Sequence, residues 1–384
     1  MARFESATDG SCTIEAVRGW GDRMEFVRFG RRIYDSDPHY RCLPDIFVGE
    51  QLTPRGNPWF KHGEAQLFVA RRQGRVVGRI SAQIDREHLR QHGDGCGFFG
   101  FFESVDDAEV ATQLLRSAED WCRARGMNRI RGPFSFSINE VSGLLVDGFE
   151  FPNQIMMPHG RPYYGKLLKD AGYEKAVDLY GWWYTSEQPP QIAQEIADAV
   201  GEYPGLTVRP VDMSRIGEDM GLIMDIFNEA WSNNWGFVPF TDAEVDAMAK
   251  QFKLIAEPDY ALIAEVDGEP AAMALALPNI HEWTADLDGQ LFPLGWAKLL
   301  YRMRFSKPKT FRQVLLGVRR KFRGGALGGL SLHLYIKTHR NACQWGFSGG
   351  EAGWTLENND KINQGMAFTG AEHYKTYRIF EKSL

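Results

Sequence analysis

The strongest constraint on this 384-residue chain is an order of segments that occurs twice. In the first half, β-rich runs at 65–70 and 74–84 flank a hairpin-like Arg71-Arg72-Gln73-Gly74, and a further strand is expected at 95–103. Val110, Leu114, Leu115, Ala118, Trp121 and Cys122 then recur at helical spacing within 108–125 and stop at Gly126. A strand at 128–131, a short helix at 163–171 before Gly172 and a strand at 176–184 complete the set. The second half repeats it: a helix at 191–201, a strand at 206–210, and helices at 216–233 and 242–254. A strand pair at 260–266 and 269–277 turns about Asp267-Gly268, and a strand at 310–318 follows. A helix at 328–341, a strand at 352–357, a helix at 359–369 before Gly370 and a strand at 373–381 close the chain. Between the halves, Ser186-Glu187-Gln188-Pro189-Pro190 is a polar, proline-bearing linker. Alternating strands and helices indicate α/β structure, and the repeated order implies duplication at the level of fold. The expected lobes are 1–185 and 191–384, each of ordinary domain size.

Composition is that of a folded globular protein, 43% hydrophobic and 24% charged. Met1–Thr13 has no basic-then-apolar leader pattern and no stretch approaches a membrane span, so a cytoplasmic protein is expected, with peripheral contact at the inner membrane left open. Five scattered cysteines without CxxC spacing suggest neither disulfides nor a metal site. The charge is uneven: residues 289–350 hold twelve Lys and Arg and no Asp or Glu, so a total of −6 leaves −18 on the remainder. Such a block reads as a site for an anion, whether a phosphorylated co-substrate, an acidic carrier or an anionic membrane; the plainer alternative is a solvated basic face.

Inside that block the apolar strand Val314-Leu315-Leu316-Gly317-Val318 runs into Arg319-Arg320-Lys321-Phe322-Arg323-Gly324-Gly325-Ala326-Leu327-Gly328 and then a helix. A glycine-rich turn at a helix N-terminus offers backbone N–H groups and a helix dipole to a pyrophosphate. The segment has neither the Gly-Lys-Ser/Thr of a P-loop nor the Rossmann spacing. It resembles the coenzyme A loop of GNAT acyltransferases, Arg/Gln-x-x-Gly-x-Gly/Ala, with Ala326 at the first small position. The resemblance extends to Asn359 and Gly370 around the following helix, but Met366 stands where many members carry a Tyr that protonates the departing thiolate. In the first half the matching positions are Arg161, Leu168 and Gly172, again without the Tyr, and the loop Ser104–Glu109 is acidic and glycine-free.

Phe98–Glu103, Arg131-Gly132-Pro133, Met156–His159 with Pro162-Tyr163-Tyr164, and Tyr374–Arg378 make the chain, from about Phe26 onward, similar to a bacterial group of two-lobed GNAT-like proteins that includes ceramide synthases. That resemblance implies tandem GNAT-like lobes, each a mixed central sheet flanked by helices, the first degenerate and the second holding the donor. It implies acyl-CoA, or an acyl-carrier thioester, as co-substrate with no tightly bound cofactor. The donor-binding candidates are Leu316, Val318, Arg323, Gly324, Gly325, Ala326, Leu327, Gly328 and Asn359. Glu357 is the first choice for the base, with His373 and Tyr374 as second choices for proton transfer. Asn139, Glu140, His159, Tyr163 and Tyr164 either line the acceptor pocket or pack the lobe interface.

The expected reaction is acyl transfer to a primary amine, with a sphingoid base as the acceptor that the resemblance suggests. Alternatives are a small-molecule N-acetyltransferase, a tRNA-dependent aminoacyl transferase, or a non-catalytic acyl-CoA sensor. The acidic remainder and the lack of arrayed aromatics count against nucleic acid. Leu291–Phe305, apolar residues interleaved with Lys298, Arg302 and Arg304, is a basic amphipathic stretch suited to an anionic membrane or to a lipid entrance; a packed helix with snorkelling cations is the alternative.

Overall fold

A computed structural model describes residues 11–384; the reading of Met1–Gly10 as free of a leader lies outside the described residues. The chain forms two compact units, one of 1–178, 287–291 and 377–384, the other of 179–286 and 292–376.

The first unit contains β1 (Thr13–Ala16), α1 (Trp20–Arg32), α2 (Asp45–Gln51), β2 (Gly63–Arg72), β3 (Arg75–Asp85), α3 (Arg86–His92), β4 (Cys96–Ser104), α4 (Ala108–Arg123), β5 (Arg129–Gly132), the short β6 (Phe134–Ser135), β7 (Val141–Ser142) and β8 (Leu144–Asp147), and α5 (Tyr164–Asp170). Its sheet runs β1-β2-β3-β4 antiparallel and then takes one parallel step, Cys96–Phe98 against Arg129–Arg131 of β5. The β2–β3 turn is the one expected: Gln73 and Gly74 both adopt positive φ, 51° and 75°, the combination that lets a two-residue hairpin follow strand twist. Helix α4 forms because Asp107 accepts hydrogen bonds from the amides of Glu109 and Val110, and because its apolar stripe, Val110, Ala111, Leu114, Leu115, Ala118 and Cys122, is fully buried on the sheet. Burying each large member of that stripe contributes about 1.5–3 kcal/mol.

Strand β9 (Glu174–Thr185) leads into the second unit: α6 (Gln191–Gly201), β10 (Leu206–Pro210), α7 (Ile216–Trp231), α8 (Asp242–Ile255), β11 (Ala261–Val266), β12 (Glu269–Pro278), α9 (His281–Thr284), α10 (Gly295–Phe305), β13 (Thr310–Val318), α11 (Leu330–Gln344), β14 (Gly349–Leu356), α12 (Asp360–Phe368) and β15 (Glu372–Ser383). Its sheet repeats the first: β10-β11-β12-β13 antiparallel, then a parallel step from β13 to β14. The Asp267–Gly268 turn has φ values of 52° and 78°. Both units are therefore mixed sheets flanked by helices, in the same order.

The sequence-based boundary needs correction. The second unit's sheet continues from β14 to Leu179–Thr185 of β9, a strand counted in the first lobe. The first unit's sheet continues from Gly132–Arg129 of β5 to Phe380–Ser383 of β15, a strand counted in the second. From Leu179 and from Tyr377 onward, each closing strand thus belongs to the unit of the other half. Strand pairing between residues so far apart leaves no local signature, so a linear reading assigns each strand where it falls.

Candidate active site

The second unit places the donor candidates Leu316, Val318 and Arg323–Gly328 at the end of the strand that makes the parallel step. Strands β13 and β14 pair only over Thr310–Gln313 and Gly349–Ala352 and then part. Leu316, Gly317 and Val318 pair with Ala274, Met273 and Ala272 of β12 on their other side. Among the described residues no strand covers the β14-facing edge of β13 beyond Gln313, so alternate backbone groups there are open. Two short 3₁₀ turns, Arg320–Phe322 and Gly325–Leu327, follow the strand before α11 begins. The glycine turn is thus tighter, and the helix starts two residues later, than the expected 328–341.

Individual residues of the turn divide into anchors and open backbone. Leu327 is buried with Phe322, Leu330 and Leu334. Arg323 donates from Nε to the Val318 carbonyl at 2.8 Å and from Nη2 to the Ala230 carbonyl at 2.9 Å, so its guanidinium ties the turn to the end of β13 and to α7. Ala326, Gly324, Gly325 and Gly328 are exposed. A Cβ on Gly324 or Gly325 would meet nothing within 4 Å, and Gly325, at φ +59°, is the one position of the four that demands glycine conformationally. The cap of α11 is Gly329, with no side-chain hydrogen bond to the first turn. Asn359 is committed as the cap of α12, its Oδ1 accepting from the Ile362 amide at 3.4 Å. Glu357 is half-buried just past the end of β14, and its carbonyl accepts from Asn363 Nδ2 at 3.2 Å.

About half of the cationic block is answered by carboxylates of the second unit. Lys298 and Arg302 reach Asp286, Arg319 reaches Asp225 and Glu229, Lys321 reaches Glu269, and Arg340 reaches Asp198. An acid-free window in the sequence therefore does not become a uniformly positive surface, and for the donor the argument narrows to the turn itself.

Tyr374 and His373 point to different partners, as neighbours on a strand do. His373 is exposed, its Nε2 3.0 Å from the Lys375 carbonyl and its ring 4.3 Å from that of Tyr180. The Tyr374 hydroxyl donates to Oε2 of Glu351 at 2.5 Å. Glu351 is completely buried, and its Oε1 stands 3.0 Å from Nε of the equally buried Arg312, an ion pair whose N–H is not aligned on the oxygen. Arg312 Nη2 donates to the Gly353 carbonyl at 2.8 Å, one residue past the last β13–β14 pair. Sequence reasoning missed Glu351 and Arg312. The available signal was a charged residue inside each of two otherwise apolar strands, which tertiary pairing turns into a buried ion pair.

The acceptor candidates lie in the first unit and are mostly engaged in packing. Tyr164 is buried in the apolar core and donates to Glu103 Oε2 at 2.6 Å, and Tyr34 donates to the same oxygen at 2.7 Å. Burial raises the Glu103 carboxyl above the usual range, opposed by Arg79 and by the two hydroxyls. Tyr163 donates to the Ser104 carbonyl at 2.9 Å, and Glu140 accepts from Asn57 Nδ2 at 3.1 Å. The Asn139 amide donates to Ser137 Oγ at 3.2 Å. His159 is buried with Nε2 3.0 Å from Asp37, its ring against Tyr34 and Tyr40. Tyr164 thus packs within the first unit's own core. One group with metal-ligating atoms also occurs here, His88, Asp94 and Cys96. Its carboxylate faces the Arg131 guanidinium at 3.7 Å, and burial pushes the Cys96 thiol up to about 12, a setting poor for a cation and a thiolate.

The chain is similar to known proteins along its whole length. Residues 34–132 match the acetyltransferase (GNAT) family, a match that falls within the first unit. Protein YghO of Escherichia coli (strain K12) is 39% identical over 368 residues, 94% of this chain and 93% of that protein. The protein named bacterial ceramide synthase from Caulobacter vibrioides is 39% identical over 388 residues, 99% of this chain and 100% of that one. Among solved structures, a tandem GNAT protein from the clavulanic acid biosynthesis pathway superposes with a TM-score of 0.60 at 12% identity, covering 97% of this chain and 98% of that one, a likeness of fold. With two mixed sheets in the same order, a parallel step that opens beside a glycine turn, and a full-length relative of this kind, the chain belongs to the two-lobed GNAT acyltransferases, the family that includes the bacterial ceramide synthase.

Proposed function

We propose that the protein transfers an acyl group from acyl-CoA, bound in the second lobe, to the primary amine of a long-chain base, with a sphingoid base as acceptor. The donor assignment is carried by the contrast between the two strand-to-helix turns. In the first lobe the N-terminal amides of α4 are already held by the Asp107 carboxylate, and Arg72 is spent on Asp107 and Glu109. In the second lobe α11 starts at Gly329 with no capping side chain. A pyrophosphate would meet fixed negative charge at the first turn, and free N–H groups with the positive end of a helix dipole at the second. The open edge of β13 near Leu316–Val318 supports main-chain donors to the thioester carbonyl, whose oxygen gains charge as the tetrahedral intermediate forms.

In that step the amine nitrogen bonds to the carbonyl carbon, the carbon–sulfur bond breaks, and one amine proton must leave while the thiolate gains one. Tyr374 is the best-supported acceptor of the amine proton. Its own hydrogen is committed to Glu351, so its oxygen lone pairs can receive a proton as the hydrogen passes to the carboxylate. Glu357 and His373 are the other candidates, and Met366 leaves the thiolate's proton to water. Asn139, Glu140, His159 and Tyr163 are proposed to shape the acceptor lobe rather than to react.

The acceptor assignment is supported by full-length similarity to a protein named bacterial ceramide synthase. Because no helix among the described residues is long and apolar enough to cross a membrane, the enzyme would meet its acceptor peripherally. The test is thiol release with acetyl-CoA or palmitoyl-CoA, with and without sphinganine. Release that requires sphinganine is expected. Transfer confined to small polar amines would replace this reading with a small-molecule N-acetyltransferase.

A further inference from the structure

Helix α10 presents large apolar residues to water and commits two of its three charges, Lys298 and Arg302, to Asp286. None of its residues is buried. Arg302 reaches Asp286 and donates to the Trp283 carbonyl at 2.7 Å, and Lys298, one turn earlier, lies 3.4 Å from the same carboxylate; Ala297 and Leu299 are half-buried beside them. At about 100° per residue, Trp296, Leu300 and Met303 cluster within about 60° on the opposite side. Leu300 is 58% exposed, Phe305 at the helix end 69%, and Phe292 just before the helix 74%. The Trp296 indole N–H already donates to the Pro293 carbonyl at 3.0 Å, so the ring can leave water without stranding a donor. Beyond the apolar side, Arg304, Lys307 and Lys309 are exposed, and among the described residues no carboxylate pairs with their side chains.

We propose that this helix lies in the headgroup layer of an anionic bilayer, its Trp296–Leu300 side among the acyl chains and Arg304, Lys307 and Lys309 against the phosphates. An interfacial helix has this composition, aromatic and aliphatic on one side with cations at its margin. A second copy of the chain is the poorer occupant, because a two-fold contact through this surface would bring the same unpaired cations together. That the surface delivers the enzyme to a membrane-resident amine rests on the function proposed above; the surface itself does not.

The experiment is co-sedimentation of the full-length protein with vesicles of phosphatidylglycerol and phosphatidylcholine, or of phosphatidylcholine alone, together with analytical ultracentrifugation. The wild type should partition onto the anionic vesicles and be released by 0.5 M salt, where the Debye length is several-fold shorter than in dilute buffer. Charge reversal at Arg304 or Lys307 should weaken partitioning about fivefold or more each. The pair Trp296→Ser and Leu300→Ser should weaken it at least about tenfold on both vesicle types. Wild-type protein left in the supernatant with anionic vesicles overturns the proposal. So does unchanged binding by these variants, or a dimer that the serine pair dissociates. Thiol release from palmitoyl-CoA with sphinganine in neutral detergent micelles is measured in parallel: vesicle binding without any acyl transfer sinks the proposed function and leaves the surface standing, while transfer without vesicle binding does the reverse.

Discussion

The role proposed for Tyr374 depends on a partner that is remote in the sequence. Its hydroxyl faces a carboxylate of zero exposure that is itself paired with Arg312. Removing only the hydroxyl, Tyr374→Phe, is expected to lower kcat by about 10²–10⁴ with little change in donor KM, the usual range for a lost proton-transfer group. Glu357→Gln measured beside it separates the two candidates, and a larger loss at Glu357 would return the base to that residue. Glu351→Gln keeps the shape but leaves Arg312 buried without its counter-charge, so it should cost about 3–5 kcal/mol in stability, read by chemical denaturation. The candidates Glu357, His373 and Tyr374 were legible as polar residues near a strand end. Glu351 was not, because what distinguishes it is its burial and its pairing.

At the scale of elements, the two turns that follow β4 and β13 do opposite things with the same topology. Gly324→Val adds a side chain into open space, so the thermal midpoint should hold within a degree or two while the KM for acyl-CoA rises at least about tenfold. An unchanged KM would remove the pyrophosphate from this turn. Gly325→Val forces a branched residue to φ +59°, and a loss of about 1–2 kcal/mol in stability should accompany any change in binding. The first turn has no such vacancy, since Asp107 occupies the helix amides. Titration calorimetry should therefore find one acyl-CoA per chain, and a stoichiometry of two would refute the assignment of the lobes. Helix and strand positions were widely legible here. Val110 to Cys122 and the Asp-Gly hairpin announce themselves through period and turn chemistry, and α10 was legible as a basic amphipathic stretch whose exposure the sequence alone left open.

For the molecule as a whole, pH acts through groups that folding withdraws from water. Burial pushes the His88 imidazole down to about 4, below the value of about 6.5 of an exposed histidine, so the folded state favours the neutral ring. Its contribution is complete above pH 6.5 and is lost as pH falls towards 4, because the unfolded chain takes up a proton that the folded one resists. Between pH 7 and 5 the protein should lose about 2 kcal/mol from this group, and a His88→Gln variant should show a correspondingly flatter stability profile in denaturant titrations. The sequence by itself determined the class of fold, the doubling of the lobes, most element positions and the glycine turn, because each is written in local period, capping and turn residues. Tertiary structure decided which lobe owns each closing strand, which cations keep their charge unanswered, and which carboxylate faces Tyr374. Those depend on pairings between residues tens to hundreds of positions apart, which local periodicity cannot encode.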